Sequence, residues 1–466
     1  MTIRSGSLLT RLCRFLGSLA AMMFAALSFS SSAVTRFYQW PWFFYWQLLL
    51  VAPVAILGFR LLSGRHLPRF GGGLDAGLGL LAAINFVAAL RSPFRPQSLN
   101  AALIPIAAVS LAYLWLDWIE RDPPRREERI ALLSRFVGVL MLLFVVVSLS
   151  CWWFTLVMPA WMAGGASLKA ALSIRNTEPF GHSVYTAGFA VLAAPWLAVN
   201  GLLERGWRRW FWLAIAALAL AIVPTTASRG GVLASGTVLA GAAVLCLVRS
   251  SFSRGLRALV TIGVLLTASL LVALDPRLRG LVLHGHWSRI ASESNDQRKA
   301  MLEAGWLMGR DRPWTGYGPA TVSLIYPHYR AGLSDGGADD VLQLHNTPAQ
   351  FWAELGIPGL LAGMLLIAGI INLARDFRQQ CKCTVSPESQ PHRLRTQAVL
   401  IAFIGYATMC LFDYQFDVPL FAAVAATLLA LARVSAANAG KPGSATGLPM
   451  LSKCVARLSG SLLLVA

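Results

Sequence analysis

Apolar runs of about 20 residues recur along most of the chain, separated by short polar connectors. That is the length an α-helix needs to cross the hydrocarbon core of a bilayer. A transmembrane β-barrel would instead alternate apolar and polar residues over segments of about ten, and this chain does not. Only 13% of its 466 residues are charged, about half the fraction of a soluble domain. The pattern predicts an all-α integral membrane protein of about twelve transmembrane helices.

The net charge of +19 does not indicate nucleic acid as a partner, because the basic residues sit in short clusters between apolar runs. One alternating set of connectors (FRLLSGRHLPR, ERDPPRREER, ERGWRR, RSSFSRGLR and ARDFRQQCKC through RLR) carries roughly eighteen Lys and Arg. The other set (TRFYQWP, RSPFRP, residues 157–181 and TTASR) carries about six. Positive connectors stay on the cytoplasmic side. This orientation puts helices 1–9 in residues 1–274 and a large outer loop domain at 275–348, between helices 9 and 10. Helices 10–12 follow at 349–433, and a Gly/Ala/Ser-rich cytoplasmic tail, expected to be disordered, occupies 434–466. The first apolar stretch, with Arg4, Arg11 and Arg14 before it and SSSA after it, also suits a cleavable leader; cleavage would not move the loop.

The seven cysteines form no disulfide framework. Cys13, Cys151, Cys246 and Cys410 lie in apolar runs, and Cys381 and Cys383 have only His392 close to them, which is too few ligands for a structural metal. No metal and no cofactor is expected. Asp339 and Asp340 lie in a flexible acidic stretch, and the first outer loop has no acidic ligand for a divalent cation.

Chemistry-bearing residues gather on the expected outer side. Arg175 lies in SIRNTEPFGHSVYTAGF and Arg229 in TTASRGG. Arg298 begins a helical pattern in NDQRKAMLEAGWLMGRDRPW, with Met301, Leu302, Trp306 and Leu307 at helical spacing. His345 and Asn346 stand at the mouth of an apolar run that GIPG interrupts. Arginine at a membrane edge suits an anion, because its fork matches phosphate oxygens. It also suits plain snorkelling, and a lone histidine also suits a structural hydrogen bond. Gly230 and Gly231 after Arg229 leave backbone N–H groups open to an anion. Glu354 lies nine residues after His345 and points away from it, toward a neighbouring helix. Gly356, Pro358 and Gly359 either shape a groove for a lipid chain or make a packing kink.

TTASRGG, DQRKAMLEAGWLMGRDRPWTGYGPATV, LHNTPAQFWAELGIPG and FGHSVYTAGFAVLAAPWL, in order over roughly residues 170–420, together resemble the O-antigen ligase/polymerase family of membrane glycosyltransferases. The resemblance implies about twelve helices with a periplasmic loop domain, in the bacterial inner membrane. It implies a polyprenyl-pyrophosphate glycan donor and en bloc transfer, metal-independent and inverting, to a hydroxyl acceptor. That acceptor is a lipid A–core sugar in a ligase and the growing glycan in a polymerase, and the sequence does not choose between them. Arg229 and Arg298, with Arg175 as a third, would stabilise the leaving pyrophosphate. His345 would act as general base or orient the hydroxyl. Asn346, Glu354, Gly356 and Gly359 are expected to support the site, and Asp413 and Asp417 to partner the arginines. A lipid-linked glycan transporter would show charges along a midplane path, whereas the polar signal here is concentrated at the outer face.

Overall fold

The computed structural model describes residues 5–37, 39–163, 167–248, 292–330, 333, 341–383 and 387–439. The regular elements among them are all helical. In chain order the main helices are α1 (Ser5–Ser28), α2 (Trp42–Leu62), α3 (Leu74–Arg91), α4 (Arg95–Glu120), α5 (Arg126–Cys151), α6 (Ser183–Leu203), α7 (Trp207–Thr225) and α8 (Arg229–Val248). They continue with α9 (Ser292–Asp311), α10 (Val322–Arg330), α11 (Thr347–Cys383), α12 (Gln390–Cys410) and α13 (Pro419–Asn438). A π-helical turn, Trp152–Val157, carries α5 on toward Met162.

Eight helical segments are long and apolar enough to cross a membrane among the described residues, where about twelve were expected over the whole chain. The apolar parts of α1 and α8 are shorter, at Phe15–Ser28 and Arg229–Leu245. Helix α12 opens with His392, Arg393 and Arg395, which shortens its apolar stretch. The expected ninth span and residues 275–291 lie outside the described residues, as do Asp339 and Asp340 and residues 440–466. Helix α13 runs on to Asn438, past the expected boundary.

Helices α6 and α13 are the most buried of the spans. Helix α6 packs against α7, α8 and α12, and α13 against α4 and α12. Small residues make this closeness possible, since in lipid helix association rests on van der Waals contact. Phe144, Phe180, Phe189 and Phe421 fill the space between α5, α6 and α13, with ring centroids 4.7–5.9 Å apart.

The break in α11 at GIPG has a definite partner. In an unbroken helix the Ile357 N–H would bond to the Ala353 carbonyl, and Pro358 has no N–H to offer Glu354. Both carbonyls would then be stranded at membrane depth, where each unsatisfied group is costly. The turn after α9 takes them up. Tyr317 N–H donates to Ala353 O at 3.0 Å and Gly318 N–H to Glu354 O at 2.9 Å, while Ile357 N–H donates to Pro313 O at 2.7 Å. Gly356 turns through φ +66° with its Cα against the Pro313 carbonyl, where any Cβ would collide. GYGP and GIPG therefore interlock, backbone to backbone. Glu354 serves the same joint. Its buried carboxylate accepts from Gln350 Nε2 at 2.7 Å and from the Ala320 and Val322 backbone, so it holds this turn and reaches the first residue of α10, a neighbouring helix. Gly359 lets the turn after the break lie against Leu355 and the Phe351 carbonyl.

The joint sets α9 on the outer half of α11. Gly305 lets Leu344 approach, with Leu344 Cδ1 2.6 Å from where a Cβ would stand, and Trp306 stacks on Trp352 at 5.8 Å. Gly356→Ala is expected to cost about 2–4 kcal/mol, from left-handed strain plus collision with backbone. Thermal unfolding in detergent should show the lowered midpoint. Gly79→Ala, where a Cβ would meet open space, should leave the midpoint unchanged.

Candidate functional site

Helices α6, α8, α11 and α13 all begin at one pole of the bundle, around the turn of residues 411–418. Their N-termini bring the positive ends of four helix dipoles to that pole, a setting that favours negative charge. The carboxylates there have this compensation, and an incoming phosphate would share it.

His345 sits in the left-handed region at φ +49°, which histidine visits more readily than most side chains. This twist turns its ring into the bundle, where Nδ1 lies 2.7 Å from Asp413 Oδ1. The Asp413 side chain is fully buried, and that of His345 is 29% exposed. Gln415 Nε2 braces the second Asp413 oxygen at 3.1 Å and also donates to Val184 O at 2.9 Å. Gln415 fits because position 188 on α6 is glycine; a Cβ there would overlap its amide. Thr347 Oγ1 donates to Asp413 O at 2.8 Å. Asn346 is a cap: its Oδ1 accepts from Ala349 N and its Nδ2 donates to Leu411 O.

Two residues earlier, Gln343 Nε2 donates to Asp417 Oδ2 at 2.5 Å and to the Tyr185 hydroxyl. The segments 343–347 and 411–417 are thus fastened side chain to side chain. Of the two carboxylates expected as second partners of the arginines, Asp413 pairs with His345, and Asp417 with Gln343 and Tyr185.

Arg229 is the first residue of α8 and is half-buried. Ser228 precedes it, and the Ser228 Oγ accepts the Gly231 N–H at 3.1 Å. The Gly231 N–H is thus taken up locally, and the glycine pair also allows a close approach. A Cβ at Gly230 would lie 2.8 Å from Phe412 Cβ, and one at Gly231 would lie 2.6 Å from Ala187 Cβ. The pair lets α8 press against α6 and the 411–418 turn, which brings the start of α8 against Phe412. Arg175 is exposed, one residue before Asn176, whose N–H donates to Thr225 O at 2.9 Å near the same corner. Arg298 is half-buried on α9. It shares a helix face with Gly305, two turns or about 10 Å from the Leu344 contact. The start of α8 and the His345 segment thus meet the same 411–418 turn, Arg175 lies one residue before the Asn176–Thr225 contact, and Arg298 lies on α9.

Sequence reasoning missed His182, Tyr185, Gln343 and Gln415 as members of this cluster. For His182 a signal was present: like His345, it stands at the mouth of an apolar helix.

Asp417 lies in the turn, before α13 begins. Burial pushes its carboxyl up to about 7, and the Asp413 charge adds to that; the Asp417 N–H, Gln343 and Tyr185 act against it. The folded protein therefore holds a proton that the unfolded chain lacks. This stabilisation is full below the ordinary carboxylate range and fades as pH rises through about 7. Asp417→Asn should raise stability over the wild type by roughly 2–4 kcal/mol at pH 8 and leave it nearly level at pH 4. Thermal midpoints at the two pH values check it.

The apolar spans and the buried polar cluster at one pole define a multi-pass helical membrane protein with a histidine–carboxylate site. Residues 214–364, about a third of the chain, match the family model described as O-Antigen ligase, and the match supports the O-antigen ligase/polymerase family. The family implies lipid-linked glycan substrates in a membrane setting. The matched stretch includes Arg229, Arg298 and His345, while Asp413 comes from beyond it. No curated protein matches the chain.

Proposed function

We propose that this chain is an O-antigen ligase-type glycosyltransferase. It moves a glycan en bloc from a polyprenyl-pyrophosphate donor to a hydroxyl of a lipid A–core sugar, at the periplasmic face of the bacterial inner membrane. The observation that carries the reading is the His345–Asp413 pair at 2.7 Å, set beside the Arg229 corner in a stretch that matches the family.

With the Asp413 carboxylate accepting from Nδ1–H, Nε2 is the ring nitrogen left with a lone pair, and the tautomer is fixed. Nε2 takes the proton of the acceptor hydroxyl as its oxygen attacks the anomeric carbon of the donor. The new C–O bond forms on the face opposite the leaving group, and the bond to the pyrophosphate oxygen breaks with its electron pair. A single displacement of this kind inverts the anomeric centre. Arg229 and Arg298, with Arg175 as a third cation, meet the charge that develops on the pyrophosphate. These cations neutralise the leaving group without a metal.

The test is a gel-shift transfer assay with full-length protein, donor and lipid A–core in the presence of EDTA. A single-step shift is expected from the wild type. His345→Ala should be slower by about 10²–10⁴-fold, and Asp413→Asn by about 10²-fold, through loss of the tautomer. Arg229→Ala should lose about 10²-fold or more. Full activity in His345→Ala would remove the base assignment. Ladders formed without lipid A–core would instead make the growing glycan the acceptor, and loss of the wild-type shift in EDTA would require a metal.

A further inference from the structure

The FGHSVYTAGF motif brings a second imidazole to the site. His182 precedes the first residue of α6 in extended conformation, and its carbonyl accepts the Thr186 N–H at 3.2 Å. Its ring lies nearly parallel to that of His345, with centroids 5.9 Å apart and planes 15° apart. The Tyr185 ring flanks it at 5.1 Å. Among the described residues, its buried Nδ1 has no hydrogen-bond partner. The ring is thus held by packing, and it offers His345 a face and not a nitrogen.

We propose that His182 is a positioning residue for His345: its ring walls the base against Asp413 and receives the imidazolium charge on its π face once His345 has taken a proton. The proposal rests on the assignment of His345 as the base. In that step the acceptor hydroxyl's proton passes to His345 Nε2, and the electron pair of the broken glycosidic bond leaves on pyrophosphate. His182 exchanges no proton. The separation of the two rings lies within the range over which a cation is attracted to an aromatic face. Burial holds His182 below the usual histidine range; the Asp413 charge opposes that lowering and His345 adds to it. Burial thus favours the neutral form of His182 beside a neighbour that becomes a cation.

The test compares kcat and KM for polyprenyl-pyrophosphate glycan transfer to lipid A–core in reconstituted full-length protein. His182→Phe keeps an aromatic face and should retain at least about half of wild-type kcat. His182→Leu keeps bulk without π electrons, and its kcat should fall about five- to tenfold with KM unchanged. Wild-type kcat in His182→Leu, or equal losses in the Phe and Leu variants, would overturn the proposal. If the leucine variant unfolds at a lower temperature than the wild type, His182→Gln, which also lacks a π ring, is read in the same way. His345→Ala runs in parallel. If it is inactive while His182→Leu is fully active, only the role of His182 fails; if it is fully active, the base assignment itself fails.

Discussion

A helix that breaks at membrane depth must hand its freed carbonyls to another donor, because hydrocarbon offers none. Much of the outer architecture depends on how this chain meets that requirement. Ala353 and Glu354 lose their helical partners at GIPG, and the backbone of Tyr317 and Gly318 replaces them. That exchange fixes the 313–322 turn, which in turn holds α9 along the outer part of α11. Ser98 and Gln97 hold the far side of the same turn through the carbonyls of Pro319 and Ala320. His345, two residues before α11 begins, owes its placement to an element anchored at both ends.

The polar cluster obeys the complementary rule that a buried charge needs a partner and a field. Asp413 has His345 and Gln415, and it lies among four helix N-termini. The same dipoles that make a buried carboxylate tolerable also favour a phosphate group nearby. One electrostatic arrangement thus serves the resident anion and, on the proposed function, the visiting one.

Much of this was legible in the sequence, and the rest had physical reasons not to be. Apolar runs gave the helical membrane class, because a span needs a contiguous run. His345 and Arg229 stood out because ionisable residues at the ends of apolar runs are costly and few. Helix count was harder. Charges at His392, Arg393 and Arg395 blur where α12 becomes apolar, since buried contacts such as Arg393 to the Ala439 carbonyl absorb them. The close approach that the glycine pair after Arg229 allows was not legible, because a glycine needed for close approach and one needed for an open backbone look the same in one dimension. The pairing of Asp413 with His345 joins residues 68 apart and depends on a left-handed histidine, which no local pattern announces. The stacking of His182 on His345 is likewise a product of tertiary packing.

The interlocked turns also have an order in time. Residues 313–318 leave the ribosome before residues 353–357. The donors for the bared carbonyls are therefore already synthesised when the broken helix emerges. A permuted chain that delivered GIPG first would present those carbonyls before GYGP existed.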